Sequence, residues 1–560
     1  MTEPKKLIEV AMPVKEVSAE SVRDKSIRHG HISTLHLWWA RRPLPVCRAV
    51  VFASLVPDPL DENCPAAFKQ AVAKYLAGKE YKPYDDIPHT AAIDPMEDNL
   101  RNRLLMFIGK FSDDYIANEK IGKSTDSKKQ LSDGSLIKWE NKNNPKIIGT
   151  ARKLIFIAHN TNTRSGAEGF SPSGEMSAGQ RGDKADLVTL EAQYDSLWTA
   201  ILTAEQNLYS TPNRHLETPE IKAKEQALHE AIENYLDKMP RVFDPFAGGG
   251  AIPLEAARLG CRTFGNDLNP VAHIIQRGSV EFPQKYGKPI TYTREEFLKQ
   301  YPVFAEKTDK QVTGNYTLQH SIETLELENY EDALSKHSVI HHSSFIILKN
   351  RLAFDVEYYA RQMLAGVERE IGQYYPEVNG KKPIAYYWAR VATCTNPSCR
   401  TEVPLLGTFD LCKRTGKNIS LKPLITDKRI DFEIIEEKSE LEGWVQKKNL
   451  VCPICSNTTS KNELKQQFVN KEYSERLIAV IEEGENGKNY RIPTKYEYEI
   501  LKYIPESSAP QEKIVEGDSR NLWLTYWGTT TWGQMFSHRQ LLAMQTFINL
   551  HNQFKEHWKN

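Results

Sequence analysis

The sequence predicts an α/β fold with an incomplete sheet, an inserted cysteine-rich lobe and a helical or irregular N-terminal region. Three observations support this prediction. Residues 241–266 have the pattern of a strand, a glycine-rich turn, a helix and a second strand; two close cysteine pairs enclose a β-rich stretch; and an Arg- and Trp-rich segment precedes both. The chain has 560 residues, of which 40% are apolar, so it can bury several hydrophobic cores.

The glycine-rich turn has the features of a nucleotide-type binding loop. An apolar strand ends at Asp244, three glycines follow at 248–250, and the next helix has Pro253 in its first turn and ends at Gly260. Glycines let a ligand approach the backbone closely, and the N-terminus of a helix offers free N–H groups. A glycine-rich turn that binds no ligand is the alternative.

The second strand leads to Asp267, which lies 23 positions after Asp244. In a βαβ unit an acid at this point can accept hydrogen bonds from both ribose hydroxyls, so the spacing favours a ligand that contains adenosine. The dinucleotide fingerprint fits poorly, because Pro253 stands where its third glycine would fall. The sequence also lacks the G-x-x-x-x-G-K-[ST] of a phosphate-binding P-loop.

Both segments resemble the cofactor motifs of amino-group DNA methyltransferases. The first reads Asp-Pro-Phe-x-Gly-x-Gly from residue 244, and the second reads Asp-Leu-Asn-Pro from residue 267. The resemblance implies a Rossmann-like class I methyltransferase fold that binds S-adenosylmethionine. The cofactor-binding residues that it implies are Asp244, Pro245, Phe246, Gly248, Gly250, Asp267 and Asn269.

The N-terminal segment carries a second resemblance. Residues 35–43 read Leu-His-Leu-Trp-Trp-Ala-Arg-Arg-Pro. This run is similar to the N-terminal signature of the adenine-specific DNA methylases that contain a zinc ribbon, in which it belongs to the same catalytic module as the cofactor motif. We therefore expect Trp39, Arg41, Arg42 or Pro43 to close the cofactor pocket or to contact DNA.

The same segment lies in the most basic part of the chain. Between residues 15 and 48, seven basic residues stand against three acidic ones, although the whole chain has 73 residues of each sign. Contacts with DNA would therefore depend on this local patch, where tryptophans could also stack on a base. The alternative is that the tryptophans lie in the core and that the arginines pair with acids elsewhere.

Four cysteines form the second specific motif. Cys394 and Cys399 make a C-x₄-C pair, and Cys452 and Cys455 make a C-x₂-C pair. Two such pairs supply the four thiolates of a tetrahedral structural Zn²⁺ site, and the family resemblance also implies an inserted zinc ribbon. Such a site has no open coordination position, so we assign it no catalytic role. Four buried or free thiols are the alternative.

These motifs divide the chain into five predicted regions. They are an N-terminal signature region (1–111), a polar and partly flexible insertion (112–185), a helical lead-in with the cofactor-binding half-domain (186–380), the zinc ribbon (381–465), and a linker with a C-terminal helix (466–560). Within the insertion, residues 153–158 have the pattern of a buried strand. A long amphipathic helix is predicted over 356–374.

The C-terminal helix is predicted from its first turn. Ser537 and Gln540 have the spacing of a capping box. The helix that they open is expected to turn four apolar side chains inward, namely Leu541, Met544, Phe547 and Ile548.

A catalytic motif is missing from the sequence. Amino-methyltransferases hold the target amine with an Asp/Asn/Ser-Pro-Pro-aromatic tetrapeptide, but none of the 30 prolines here adjoins another. We assign no catalytic residue. The resemblance implies the N-terminal, cofactor-binding part of a DNA methyltransferase that acts on adenine N6, split or truncated, with a second chain carrying the missing motif. It also implies a role in bacterial systems that mark host DNA and restrict phage.

Two other functions stay open at this point. One is a non-catalytic DNA-binding subunit with a structural zinc ribbon, and the other is an RNA methyltransferase. Residues 1–9 show no apolar signal segment, and no apolar run approaches the ~20 residues of a membrane span. With eight cysteines, four of them in a metal-binding pattern, we expect a cytoplasmic protein.

Overall fold

The computed structural model describes residues 3–27, 30–36, 38, 41–83, 97–161, 186–302, 345–348, 350–414, 416–470, 472–484, 487–515, 517, 524–525 and 528–557. Trp39, one of the predicted pocket residues, lies outside them. The chain forms two compact units, the first spanning Met1–Val356 and the second Glu357–Asn560. Among the described helices, none is both long enough and apolar enough to cross a bilayer.

The first unit is a mixed α/β structure in which helices predominate. Its α-helices are α1 (Val14–Ser26), α2 (Leu44–Leu55), α3 (Ala66–Tyr75), α4 (Leu100–Ile108), α5 (Asp113–Lys120), α6 (Pro145–Asn160), α7 (Leu187–Tyr209), α8 (Pro219–Leu236), α9 (Ala251–Arg258), α10 (Pro270–Gln276), α11 (Phe282–Tyr286) and α12 (Arg294–Gln300). Its strands are β1 (Arg241–Asp244), β2 (Arg262–Gly265), β3 (Ile290–Thr293) and β4 (Phe345–Leu348). A π-helical turn, Arg277–Glu281, joins α10 to α11.

The predicted strand, turn, helix and strand form a βαβ unit. Strands β1 and β2 pair in parallel, from Arg241 opposite Arg262 to Asp244 opposite Gly265, and α9 connects them. Strands β3 and β4 form a separate antiparallel pair. Within the described residues the sheet that contains β1 has two strands, so a larger Rossmann-like sheet stays a prediction.

Helix α6 corrects the prediction of a strand at 153–158. Asn144 caps this helix, because its side-chain oxygen accepts hydrogen bonds from the N–H groups of Lys146 and Ile147. The periodicity of a short apolar run does not distinguish a buried strand from a buried helix. The cap and the length of four turns identify this segment as a helix.

One hydrophobic core joins the distant parts of the first unit. It contains Leu7 from the N-terminus, Phe52 from α2, Leu154 from α6 and Leu259 after α9, all fully buried. Residues 113–120 and 145–160, which belong to the predicted polar insertion, form helices α5 and α6. Helix α6 is part of this core. The shared core fixes α1 and α2 beside the βαβ unit.

The second unit is built mainly from antiparallel strands. They are β5 (Pro383–Thr393), β6 (Glu402–Pro404), β7 (Asp410–Arg414), β8 (Lys417–Thr426), β9 (Arg429–Ile435), β10 (Val445–Gln446), β11 (Asn449–Val451), β12 (Thr458–Thr459), β13 (Ser474–Gly484) and β14 (Gly487–Arg491). One sheet has the order β14-β13-β5-β6, and two three-stranded sheets consist of β7-β8-β9 and β10-β11-β12.

Four α-helices of seven or more residues lie in the described part of this unit. They are α13 (Arg351–Ile371), which begins in the first unit, α14 (Lys461–Val469), α15 (Lys495–Leu501) and α16 (His538–His557). Helix α13 confirms the amphipathic helix that was predicted to begin near residue 356.

The C-terminal helix α16 begins as predicted but turns a different face inward. Gln540 N donates to Ser537 Oγ (3.4 Å) and Ser537 N donates to Gln540 Oε1 (2.9 Å), which confirms the capping box. Leu541 is buried, but three of the four residues predicted to face inward are exposed, namely Met544, Phe547 and Ile548. The face is set by packing against α13, where Gly366 leaves room for Leu550.

Candidate functional site

The glycine turn, residues 247–250, follows β1 directly and is held by backbone hydrogen bonds. Ala247 N donates to Asn266 O (2.9 Å), and Gly250 N donates to Ala247 O (2.8 Å). Gly248 and Gly250 have φ angles of +52° and +82°, in the left-handed region that favours glycine. The turn therefore has a backbone path that other residues would adopt only under strain.

Asp267 connects the second motif to this turn. Its Oδ2 accepts from Gly248 N (2.9 Å), and its Oδ1 accepts from Asn269 N (2.9 Å). Asn269 in turn caps α10 by accepting from Val271 N. A carboxylate oxygen can accept more than one hydrogen bond, so Asp267 braces the turn and still has acceptor capacity for a ligand.

Trp38, one of the two tryptophans expected either to stack on a base or to lie in the core, lies against the glycine turn. A Cβ built on Gly248 would lie 2.6 Å from Trp38 Nε1, so only glycine fits at this position. On the other side, Gln276 Nε2 donates to Gly248 O (3.1 Å). The turn is thus enclosed by side chains that come from distant parts of the sequence.

Asp24 and His31 form a buried polar pair that positions Arg41. His31 Nδ1 accepts the N–H of Ser33 (3.0 Å), so the proton of the neutral ring lies on Nε2, which donates to Asp24 Oδ1 (3.1 Å). Arg41 Nη2 donates to the backbone oxygen of Asp24 (2.8 Å). The His31 ring also stacks on Trp139, with centroids 5.5 Å apart.

Arg42 and Asp244 face each other beside the turn. Arg42 Nη1 lies 3.7 Å from Asp244 Oδ2, and Asp244 Oδ1 accepts from Phe246 N (3.0 Å). Asp244 Oδ2 is buried without a hydrogen-bond partner among the described residues. A buried acceptor in this condition suits a ligand that brings a donor. Pro43 lies at the start of α2 and does not line the cavity described next.

These groups enclose a cavity of about 320 Å³ between the 31–42 segment and the glycine turn, here called the glycine-turn cavity. It is lined by His31, Ile32, Ser33, His36, Trp38, Arg41, Arg42, Phe246, Ala247, Gly248, Gly249, Ala251, Asp267, Asn269 and Ile275. Four of the seven predicted cofactor-binding residues are therefore in its wall. Asp244, Pro245 and Gly250 are outside it, and Gly250 instead precedes α9 and packs against Gln276.

A buried ion pair holds the helix that follows the turn. Arg48 Nε donates to Glu255 Oε2 (2.5 Å), and the two side chains are 1% and 0% exposed. Arg258 also contacts Glu255. Burial raises the pKa of Glu255, but the two guanidinium charges outweigh burial and hold this pKa below its ordinary value.

The basic patch at 15–48 is in part internal. Arg48 is buried against Glu255, and Arg23 is buried between Glu20 and Glu140. These two arginines are ion-paired inside the fold, as the alternative interpretation of the patch proposed. They are not available to contact phosphates on the surface.

The four cysteines come together in the second unit. All four Sγ atoms lie within 4.8 Å of one another, with 3.7 Å between those of Cys394 and Cys455 and 3.8 Å between those of Cys399 and Cys452. This four-cysteine cluster could hold a metal ion. Ligands at about 2.3 Å from a tetrahedral zinc ion stand about 3.8 Å apart, so the two short spacings fit such a centre.

Each cysteine pair lies on a tight turn. Arg400 and Ser456 follow the two pairs with φ angles of +50° and +57°, and Ser456 N donates to Cys452 O (2.9 Å). Thr401 Oγ1 lies 3.2 Å from Cys399 Sγ. Cys412 lies in β7, between the two pairs in the sequence, and is not in the cluster.

Residues 11–80 match a family described as "Protein of unknown function (DUF1156)". The match includes the 31–42 segment that lines the glycine-turn cavity. No curated protein and no solved structure was found to match the chain.

Sequence reasoning missed the contacts around the turn, because their partners are distant in the sequence. Asp24 and His31 support Arg41, Trp38 covers Gly248, and Gln276 holds the turn from the other side. The one available signal was the density of His, Trp and Arg in residues 29–42, which indicated a site but not the partner of each side chain.

Proposed function

We propose that the first unit binds S-adenosylmethionine and is the cofactor-binding part of a DNA methyltransferase that acts on adenine N6. The observation that carries this proposal is the enclosure of one cavity by the glycine turn, Asp267 and the 31–42 segment. These are the two sequence segments that resemble the cofactor motifs and the one that resembles the family signature. The choice of DNA and of adenine follows from that resemblance alone.

Polar groups in the wall of the glycine-turn cavity and beside it suit the parts of this cofactor. Asp267 retains acceptor capacity for ribose hydroxyls. Asp244 Oδ2, which is buried and without a hydrogen-bond partner among the described residues, suits the ammonium group of the methionine moiety. Arg42 Nη1, which lies 3.7 Å from Asp244 Oδ2, is placed to pair with the carboxylate of the methionine moiety. When bound, the cofactor supplies an electrophilic methyl group on its sulfonium.

We propose that the catalytic motif comes from a second chain that covers the βαβ unit. Apolar side chains on β1, on β2 and on the segments that follow them are exposed: Phe243 is 63% exposed and Leu268 is 96% exposed, and the others are Phe246, Phe264 and Ile274. Exposed apolar groups beside an open sheet edge are typical of an interaction surface. A partner that continued this sheet would bring its own strand ends close to the glycine-turn cavity.

For the second unit we propose a structural zinc ribbon. Four thiolates from two turns are the ligand set that zinc prefers, and the sulfur spacings support tetrahedral coordination. With four protein ligands the ion would have no position for substrate. Its contribution would be to stabilise the second unit, which could then contact DNA.

Calorimetric titration of S-adenosylmethionine tests the cofactor site. We expect saturable binding by the wild-type chain, and a loss of about tenfold or more in affinity for Asp267→Ala and for Arg42→Gln, because each removes a charged contact. Arg42→Gln leaves the backbone bonds of the turn intact. Asp237→Ala, which removes an exposed carboxylate paired with Arg262, is the matched control and should bind normally. Equal affinity in all four proteins would refute the proposal.

A non-catalytic DNA-binding subunit is the second candidate, because the sequence has no Pro-Pro dipeptide. It predicts steeply salt-dependent binding of duplex DNA without methyl transfer in the presence of the partner chain. Methyl transfer to duplex DNA would exclude it, and transfer to structured RNA alone would identify the RNA methyltransferase instead.

A further inference from the structure

A second and larger cavity lies in the first unit, away from the glycine turn. Its volume is about 520 Å³, within the range of small-molecule sites, and it shares no lining residue with the glycine-turn cavity. Side chains from α6, α7 and the end of α9 enclose it, and it is here called the cationic cavity. Neither the βαβ unit nor the cysteine cluster explains its composition.

Positive charge predominates in the lining of the cationic cavity. Four basic side chains face one carboxylate, that of Asp195. Lys153 pairs with Asp195 (2.7 Å), and Arg258 contacts Glu255. Lys142 and Arg152, by contrast, have no carboxylate within 4 Å among the described residues. In the described part of the chain both cations thus lack an ion-pair partner, although the carboxylates of Glu140 and Glu255 act on Lys142 from farther away.

Neutral groups hold these two cations in place. Arg152 Nε donates to Arg258 O (3.0 Å) at the end of α9, and its guanidinium carbon lies 5.0 Å from the centre of the Trp198 ring. Lys142 Nζ lies 4.1 Å from the centre of the Trp139 ring. Aromatic faces attract cations and keep long side chains ordered, so both groups are positioned before a ligand arrives.

The arrangement brings like charges together. Burial lowers the pKa of Lys142, and the nearby charge of Arg258 lowers it further. A cluster of cations in a half-buried cavity is unfavourable unless an anion joins it. An anion with several acceptor oxygens would reach more than one of these side chains at the same time.

We propose that the cationic cavity binds a phosphate group. Arginine and lysine together form the usual protein environment of phosphate, in which the guanidinium supplies two parallel N–H donors and the ammonium a point charge. The phosphate could belong to a free nucleotide or pyrophosphate or to the backbone of a nucleic acid, and the shared chemistry is the phosphate. This inference does not depend on the proposed methyltransferase function.

Gly149 offers a way to block the cavity without disturbing the fold. It lies in α6 among the lining residues, and a Cβ built on it would meet no atom within 4 Å. Glutamate at this position would project into the cavity and bring a negative charge. Alanine at the same position is the matched control, because it adds only a methyl group and favours the helix.

Calorimetric titration of the full chain with pyrophosphate tests the proposal. We expect saturable binding that weakens about tenfold in Lys142→Gln, which removes one charged hydrogen bond, and is abolished in Gly149→Glu. Gly149→Ala should bind as the wild type does. So should Lys222→Gln, which removes a surface lysine on α8 whose nearest carboxylate oxygen, on Glu217, is 3.6 Å away.

Duplex DNA added as a competitor identifies the source of the phosphate. Displacement of pyrophosphate by the duplex would assign the cavity to nucleic-acid backbone, and displacement by a nucleotide alone would assign it to a small molecule. The proposal is overturned if no saturable binding occurs, if Lys142→Gln and Gly149→Glu bind normally, or if S-adenosylmethionine displaces the pyrophosphate. The last result would place the anion in the glycine-turn cavity.

Discussion

The four-cysteine cluster and the glycine-turn cavity are assembled over very different distances in the sequence. Each cysteine pair lies on one short turn, and one sheet-bearing unit brings the two turns together. The cavity instead draws its walls from residues 31–42, 246–251 and 267–275. A local motif can therefore specify its own geometry, whereas a pocket made of distant segments depends on the core that aligns them.

The two sites also differ in how many of the required contact groups the chain itself provides. The cluster offers four ligands, which is the full set for a tetrahedral metal ion. Beside the cavity, Asp244 Oδ2 has no hydrogen-bond partner among the described residues, and the neighbouring surface carries the exposed Phe243 and Leu268. The first site can be completed by one ion, while the second requires a ligand and a partner surface.

Removing one cysteine should have the largest effect. We expect Cys452→Ser to lose the bound zinc and the protease resistance of the second unit, since metal binding by such sites contributes about 10–16 kcal/mol to folding in small zinc peptides. The measurement is zinc content by atomic absorption together with limited proteolysis. Cys412→Ser is the control and should keep one zinc per chain; loss of zinc from it as well would show that the cluster has been assigned wrongly.

The buried ion pair of the first unit comes next. Arg48→Met leaves Glu255 buried with Arg258 alone, and we expect a loss of about 3–5 kcal/mol in the free energy of unfolding. Urea unfolding followed by circular dichroism measures it. Arg277→Met breaks an exposed pair with Glu281 and should change the free energy of unfolding far less, because solvent screens this pair. Equal losses in both variants would contradict the assigned role, and zinc content should be unchanged in both.

Two neighbouring glycines provide a sharper test of the cavity. A Cβ on Gly248 would lie 2.6 Å from Trp38 at a φ of +52°, whereas a Cβ on Gly249 would make an ordinary contact at 3.5 Å. Left-handed backbone costs a residue with a Cβ roughly 1–2 kcal/mol, so Gly248→Ala should reduce affinity for S-adenosylmethionine about tenfold or more. Gly249→Ala should bind within about twofold of the wild type. Calorimetry that found the two variants equal would remove Trp38 from the site.

The smallest expected effect is the pH dependence of the stability of the first unit that is due to His215. Burial lowers the pKa of His215, although Glu296 opposes this, and its Nδ1 has no hydrogen-bond partner in the part of the chain that the structure describes. The unfolded chain therefore takes up the proton first, so stability is complete above pH ~6.5 and falls as the pH drops below that value.

His215→Gln tests this pH dependence. The variant should lose less stability than the wild type between pH 7.5 and 5.5, by about 1 kcal/mol or less. Urea unfolding at the two pH values measures the difference. An identical pH dependence in the two proteins would show that protonation of His215 does not contribute to the loss of stability.

Sequence reasoning identified the local parts of both sites. The cysteine spacing identified all four members of the cluster, and the glycines with Asp267 identified the βαβ unit. In each case the information lies within a few residues, where backbone preference and side-chain capping decide the structure. A complete sheet, the cofactor and the nucleic acid stay predictions.

The parts that sequence reasoning missed depend on contacts across the chain. Residues 153–158 were expected to form a strand and belong to α6, and Met544 was expected inside and lies on the surface of α16. Trp38 could not be paired with Gly248 from the sequence, because 210 positions separate them and only the shared core brings them together. Packing partners of this kind have no local signature.

The pair of Arg48 and Glu255 has a consequence for the stretch that matches a known family. Arg48 lies inside residues 11–80, and Glu255 lies far outside them. The matched stretch is therefore not autonomous: cut out alone, it would keep a guanidinium without its carboxylate and would expose the side of α2 that packs on α9. The matched stretch and α9 form one folding unit. Moving the stretch into another protein would require α9, which carries Glu255, to move with it.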